Sequence, residues 1–210
     1  MVARSATACQ TDACETAPGE TECWKQDMAD AFRDAERLLQ SLALCRQDIP
    51  DLDPAPNALR MLVPRGFAAL MQPGDPEDPL LRQVLPRQIE HDLVPGYVTD
   101  PVGDAAAGLG QGLIRKYAGR VLLIASGACA IHCRYCFRRH TPYSALGAQA
   151  PRLAAAIARI ADDPTLSEVI LSGGDPLMLD DDQLGALMAQ LDAIGHLQRL
   201  RIHSRLPVVL

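Results

Sequence analysis

Three short apolar runs, separated by two stretches of helical period, constrain this chain more than any other feature. VLLIAS (121–126) is continuously apolar, the pattern of a strand covered on both faces. EVILS (168–172) repeats that character, and LRIHS (200–204) closes the series. Between the first two, a segment opened by Pro151 carries Leu153, Ile157 and Ile160 on one helical face. Between the last two, the run Asp180–Asp182 offers capping oxygens and complements a helix dipole. It precedes Leu184, Leu187, Met188, Leu191 and Ile194, which should be buried. The order βαβαβ demands a parallel sheet with right-handed crossovers. In such sheets ligands collect beyond the C-terminal strand ends.

The residues with chemical character fall at those ends. CAIHCRYCFRRH (129–140) follows the first strand and sets Cys129, Cys133 and Cys136 at spacings of four and three. Soft thiolates gathered on one loop suit an iron–sulfur cluster or zinc. A closed zinc site wants four protein ligands, and the chain has no second CxxC; His132 would be the fourth ligand if the metal were zinc. A 4Fe-4S cube takes one ligand per iron, so three cysteines leave one iron open. Tyr135 is placed to pack against whatever binds there. After the second strand, Gly173-Gly174 lets bare backbone approach a ligand and Asp175 adds an acceptor, although GGD alone also describes an ordinary turn. His203, Ser204 and Arg205 end the third strand. His203 is the best placed of the five histidines, and Arg205 has no firm role.

The formal net charge of −6 gives no electrostatic case for nucleic acid, and no apolar run reaches membrane-spanning length. No apolar signal-peptide core follows Arg4. Seven cysteines with three placed for metal indicate a reducing, cytoplasmic setting. Arg115, Lys116, Arg120, Arg134, Arg138 and Arg139 form a local basic excess that points to anionic small molecules. Upstream, residues 1–23 read as a disordered tail with unligated Cys9, Cys14 and Cys23. Residues 24–110 read as a helical region. In it Trp24 anchors a helix running from Asp27 through Met28, Phe32, Ala35, Leu38, Leu39 and Leu42, with Cys45 as a core thiol near its end. A proline-rich connector covers 48–58. Pro64 and Gly74 frame a short helix through Phe67, Leu70 and Met71, a second spans 79–85, and 90–112 is loop.

The spacing CxxxCx(aromatic)C resembles the radical S-adenosylmethionine (SAM) superfamily. LSGGDPL, RIHSRLPVV and the basic run after Cys136 are similar to the lysine 2,3-aminomutase family. VPRGFAALMQPGDPEDPLLRQVLP (63–86), PGYVTDP (95–101) and CFRRHTPY (136–143) resemble its bacterial branch, whose (R)-β-lysine modifies elongation factor P. The resemblance runs from about Trp24 to Leu210. It implies an α/β fold: a partial (β/α)6 TIM-like barrel over 111–210, first three strands present, preceded by the helical region. It implies a 4Fe-4S cluster on Cys129, Cys133 and Cys136, and SAM against Tyr135, Ser172, Gly173, Gly174 and Asp175. Arg138 would pair with the substrate carboxylate, and Lys116, Tyr117 and Arg120 would meet the phosphate of pyridoxal 5′-phosphate (PLP). The family commonly has arginine where Lys116 stands.

The implied enzyme is an isomerase converting L-α-lysine to (R)-β-lysine. A reduced cluster splits SAM, the resulting 5′-deoxyadenosyl radical takes hydrogen from Cβ, and PLP delocalises the migrating radical. L-lysine is the implied partner, with a functional link to elongation factor P and its lysyl-transferring enzyme; the resemblance also allows a homo-oligomer. The family's Schiff-base lysine and the acids for the substrate ε-ammonium are expected beyond Leu210, since only Lys25 and Lys116 occur here. The expectation is therefore a fragment that alone binds a cluster poorly and does not turn over. Two other readings stand beside it: a radical SAM aminomutase for another amino acid, and a non-catalytic Cys-rich metal-binding module.

Overall fold

A five-stranded sheet organises the computed structural model, which describes residues 23–54, 59–140 and 150–210. Its strands are β1 (Gly108–Gly110), β2 (Leu113–Tyr117), β3 (Arg120–Ser126), β4 (Glu168–Gly173) and β5 (Arg199–Ile202), hydrogen-bonded in that order. The helices are α1 (Cys23–Ala29), α2 (Ala35–Ser41), α3 (Arg65–Ala69), α4 (Ala150–Ala161), α5 (Asp181–Asp192) and α6 (Leu206–Val209). The tail before Cys23, with Cys9 and Cys14, lies outside the described residues, as do 55–58 and Thr141–Tyr143. Among the described residues no helix is long and apolar enough to cross a membrane.

The expected βαβαβ series is present as β3-α4-β4-α5-β5, with β3 parallel to β4 and β4 parallel to β5. Alternation along the strands sorts their side chains onto two faces. Val121, Leu123, Ala125, Val169, Leu171 and Leu200 join Ala156 and Ile160 of α4 and Leu187 and Leu191 of α5 in one apolar core. Asp180 caps α5, its carboxylate accepting from the Gln183 amide at 2.8 Å. Met188, expected inside, is 37% exposed because it lies off that stripe.

The segment read as loop, 90–112, contains a strand, β1, and β2 follows it directly. β1, β2 and β3 are antiparallel, and the β2–β3 link is the two-residue turn Ala118-Gly119, closed by the Tyr117–Arg120 pair. Gly119 supplies a φ of +71°. Three glycines in Gly108–Gly112 mask the alternation that marks a strand. Arginines of α4 pin this hairpin: Arg152 donates to the carbonyls of Gln111 (2.7 Å) and Ile124 (2.6 Å), and Arg159 to that of Leu109.

The N-terminal region departs most from expectation. The single helix expected from Asp27 is two, because Phe32 pairs its backbone with Val63 in an isolated bridge and Asp34 caps a new start at the Arg37 amide. The helix expected over 79–85 is only a 3-10 turn, Leu81–Gln83, and α3 ends at Ala69 with Leu70 exposed. Cys45 is exposed rather than core, sitting ahead of the turn Arg46–Asp48. A second apolar core nonetheless forms from Leu38, Leu39, Leu52, Val63, Phe67, Leu81 and Leu85. It takes in Ala130 and Ile131 of the cysteine loop and Val209 of α6.

Candidate metal centre

The cysteine loop leaves β3 through a register shift between Ile124 and Ser126, a bulge that re-aims the chain. The N-terminal region then holds the loop by its backbone. The His132 amide donates to the Leu62 carbonyl at 3.0 Å, and the Arg134 amide to that of Gln83 at 2.7 Å. His132 Nδ1 lies 2.6 Å from the Arg60 carbonyl, and burial lowers the pKa of this ring. The buried Arg134 reaches the Leu59 carbonyl at 2.7 Å and the Glu90 carboxylate at 2.8 Å, and Arg139 shares Glu90 at 2.5 Å. Burial raises the Glu90 carboxyl, but hydrogen bonds from Arg134 and Arg139 outweigh it and hold the group below its ordinary range.

Cys129, Cys133 and Cys136 are free thiols bordering one cavity of about 560 Å³. Ser172, Gly173, Gly174, Asp175, Arg138, His203, Ser204 and Arg205 border it too. Burial, followed by Cys136, Asp175 and Cys133, pushes the Cys129 thiol up to about 12. Such a thiol ionises when a cation takes the place of its proton. Among the described residues no three His, Cys, Asp or Glu side chains converge as a single ion requires. Zinc draws each sulfur to about 2.3 Å from one point. A cube bonds one thiolate per iron, so its ligands stand farther apart than those of a single ion. Three thiols that border one cavity without converging on a point fit a cube better than an ion; the Arg60 carbonyl occupies His132 Nδ1 alone.

The glycine pair has a further reason beyond access. A Cβ on Gly174 would lie 2.2 Å from the Ala128 carbonyl oxygen, and one on Gly173 would lie 2.5 Å from that of Ser126. The β4 turn thus packs backbone to backbone on the start of the cysteine loop. Gly173 also has a φ of +125°. The expected acceptor on Asp175 is engaged within the protein. One oxygen accepts from the Leu177 amide at 3.0 Å; the other accepts from Ser204 Oγ and from the amides of Arg205 and Leu206.

Tyr135 does not border the cavity. It is 63% exposed and its hydroxyl lies 3.5 Å from Gln83 Oε1. Arg138 donates through Nε to Asp104 at 2.7 Å and through Nη1 to Ser172 Oγ at 3.3 Å. Lys116 pairs with the other Asp104 oxygen. Burial raises the Asp104 carboxyl, yet hydrogen bonds from Lys116 and Arg138 hold it below the usual range. Lys116, Tyr117 and Arg120 line a smaller cavity of about 120 Å³, again with Arg138. The basic excess read from sequence is therefore compensated: Arg115 pairs with Asp163, Arg120 with Glu168, Lys116 and Arg138 with Asp104, and Arg134 and Arg139 with Glu90. Glu90, Asp104 and Gln83 carry no local signal of this role, since each meets the loop only through the fold.

Residues 110–199 match the model of a 4Fe-4S single cluster domain. The L-lysine 2,3-aminomutase of Escherichia coli (strain K12) is 43% identical over 190 residues, 90% of this chain and 55% of that protein. That of Haemophilus influenzae is 39% identical over 191 residues, 91% of this chain and 56% of the relative. The chain belongs to the lysine 2,3-aminomutase family. The similarity extends to the Clostridium subterminale lysine 2,3-aminomutase, at 31% identity over 188 residues, 89% of this chain and 45% of that protein. The chain spans about half the length of the curated relatives it matches. The cluster-domain match contains the three cysteines, the glycine pair and Arg138, and stops before Arg205.

Proposed function

We propose that this chain holds a 4Fe-4S cluster on Cys129, Cys133 and Cys136 and serves a radical SAM, PLP-dependent conversion of L-α-lysine to (R)-β-lysine. The observation that carries the reading is the convergence of the three thiols, the glycine turn and Arg138 on one cavity at the C-terminal ends of parallel strands. The cluster and SAM, when bound, would supply the radical that breaks an unactivated C–H bond, and PLP would stabilise the migrating radical.

The chain's own residues have narrower tasks. Asp104 fixes the Arg138 guanidinium by its Nε side, so the Nη edge would receive the substrate carboxylate in a bidentate pair. Ser172, Gly173, Gly174 and Asp175 would border the SAM methionine, with Tyr135 at the loop's outer side. Lys116, Tyr117 and Arg120 would receive the PLP phosphate; support here is lighter, because their cations already face Asp104 and Glu168. In this reading the parallel strands begin a (β/α)6 barrel after a helical N-terminal region, and the protein works in the cytoplasm with its product passing to elongation factor P.

Anaerobic reconstitution tests the centre. The reading expects iron and sulfide in equal amounts and a brown chromophore, at an occupancy below one cluster per chain for this length of sequence and lost in Cys129→Ala, Cys133→Ala or Cys136→Ala; zinc alone would overturn it. Labelled L-lysine fed to cells carrying the gene tests the substrate. Label in β-lysine supports lysine, and label confined to α-lysine removes it.

A further inference from the structure

Every arginine and lysine of the basic excess faces a carboxylate, yet among the described residues no carboxylate pairs with the Arg205 guanidinium. Its Nη1 donates to Cys133 Sγ, and its Nη2 donates to Gln83 Oε1 at 2.6 Å. The Phe67 and Tyr135 rings flank it, each centroid 5.5 Å from the guanidinium carbon. Its backbone is fixed as well, the amide donating to Asp175 Oδ2 at 2.7 Å. Four separate segments thus hold one permanent cation against a ligand sulfur: α3, the Leu81–Gln83 turn, the cysteine loop and the turn after β4 that carries Asp175.

Resting on the cluster reading above, we propose that Arg205 is a positioning residue that sets the reduction potential of the cluster through Cys133. A cube with three thiolates gains a further negative charge on reduction. A cation hydrogen-bonded to a ligand sulfur stabilises that reduced form more than the oxidised one. Guanidinium suits the task because it keeps its charge at any working pH and stacks on aromatic faces. Gln83 orients it without neutralising it, which a carboxylate at that position would do. The N-terminal region, which supplies Phe67 and Gln83, thereby takes part in tuning a centre whose ligands all lie downstream.

The test is a redox titration of the anaerobically reconstituted chain, with iron and sulfide counted in each sample. In Arg205→Gln the ratio of reduced to oxidised cluster at a fixed poise should fall about tenfold, a shift of about 59 mV for one electron. Arg205→Lys should recover part of it, since charge returns without the planar fork. Gln83→Ala loosens the guanidinium without removing it and should shift the ratio the same way by a smaller factor. It decides the matter should Arg205→Gln fail to load. Loaded variants that titrate with the wild type overturn this inference alone. A wild-type chain that takes up no iron overturns the cluster reading, and this inference with it.

Discussion

The two apolar cores of this molecule are built on different principles. The core under the sheet joins β3, β4 and β5 to α4 and α5 through side chains that recur at strand and helix period. The other joins short helices, a 3-10 turn and two residues of the cysteine loop, with no period connecting them. The first is a scaffold that fixes where the strand ends lie. The second is a clamp: backbone carbonyls at 59, 60, 62 and 83, together with Glu90, meet the one loop that carries the thiols. Damage to the scaffold should therefore cost stability broadly, whereas damage to the clamp should cost metal binding out of proportion to stability.

Leu123→Ala should have the largest effect on folding. The side chain is fully buried between sheet and helices, and such truncations cost about 2–5 kcal/mol. At roughly 2–4 °C per kcal/mol the melting temperature should drop by about 10 °C. Iron bound per folded chain should stay unchanged; a parallel fall in iron would break the division between scaffold and clamp. Glu90→Gln comes next, leaving Arg134 and Arg139 without their carboxylate at a cost of about 3 kcal/mol. Here iron and sulfide uptake should fall at temperatures where the far-ultraviolet circular dichroism is still native.

Gly174→Ala should destabilise by about 1–3 kcal/mol, because its Cβ meets the Ala128 carbonyl and the loop must give way. Again the loss should register first in cluster uptake. The smallest effect is one of pH. The folded Glu90 carboxyl titrates below its ordinary value, so its contribution is complete above the unfolded value of about 4.3 and is lost as pH falls through the folded one. Urea midpoints measured from about pH 6 down to about pH 3 should show this decline in the wild type. Glu90→Gln should lack that part of the slope.

The same division explains what the amino-acid order made legible. β3, β4, β5, α4 and α5 were readable because their apolar spacing is local, and the cysteine loop and glycine turn followed from their places at strand ends. The clamp was not readable. Phe32 keeps helical spacing with Ala35 and Leu39, yet its backbone pairs with Val63 some thirty residues on. Glu90, Asp104 and Gln83 meet Arg134, Arg138 and Arg205 across gaps of 44, 34 and 122 residues. Six clustered cations suggested an anionic ligand because their carboxylates are scattered along the sequence. β1 was missed because its glycines carry no facial preference, and β2 because it buries the adjacent Leu113 and Ile114 instead of alternating.

The Asp175 carboxylate has a mechanical corollary. Its two oxygens grip the turn after β4 and, at the same time, the amides that open α6. Those two segments share one carboxylate, so a shift of either strains hydrogen bonds to the other. A tug at the glycines travels to residues 205 and 206, and through Val209 into the clamp's interior. A substitution in either segment is therefore felt in the other.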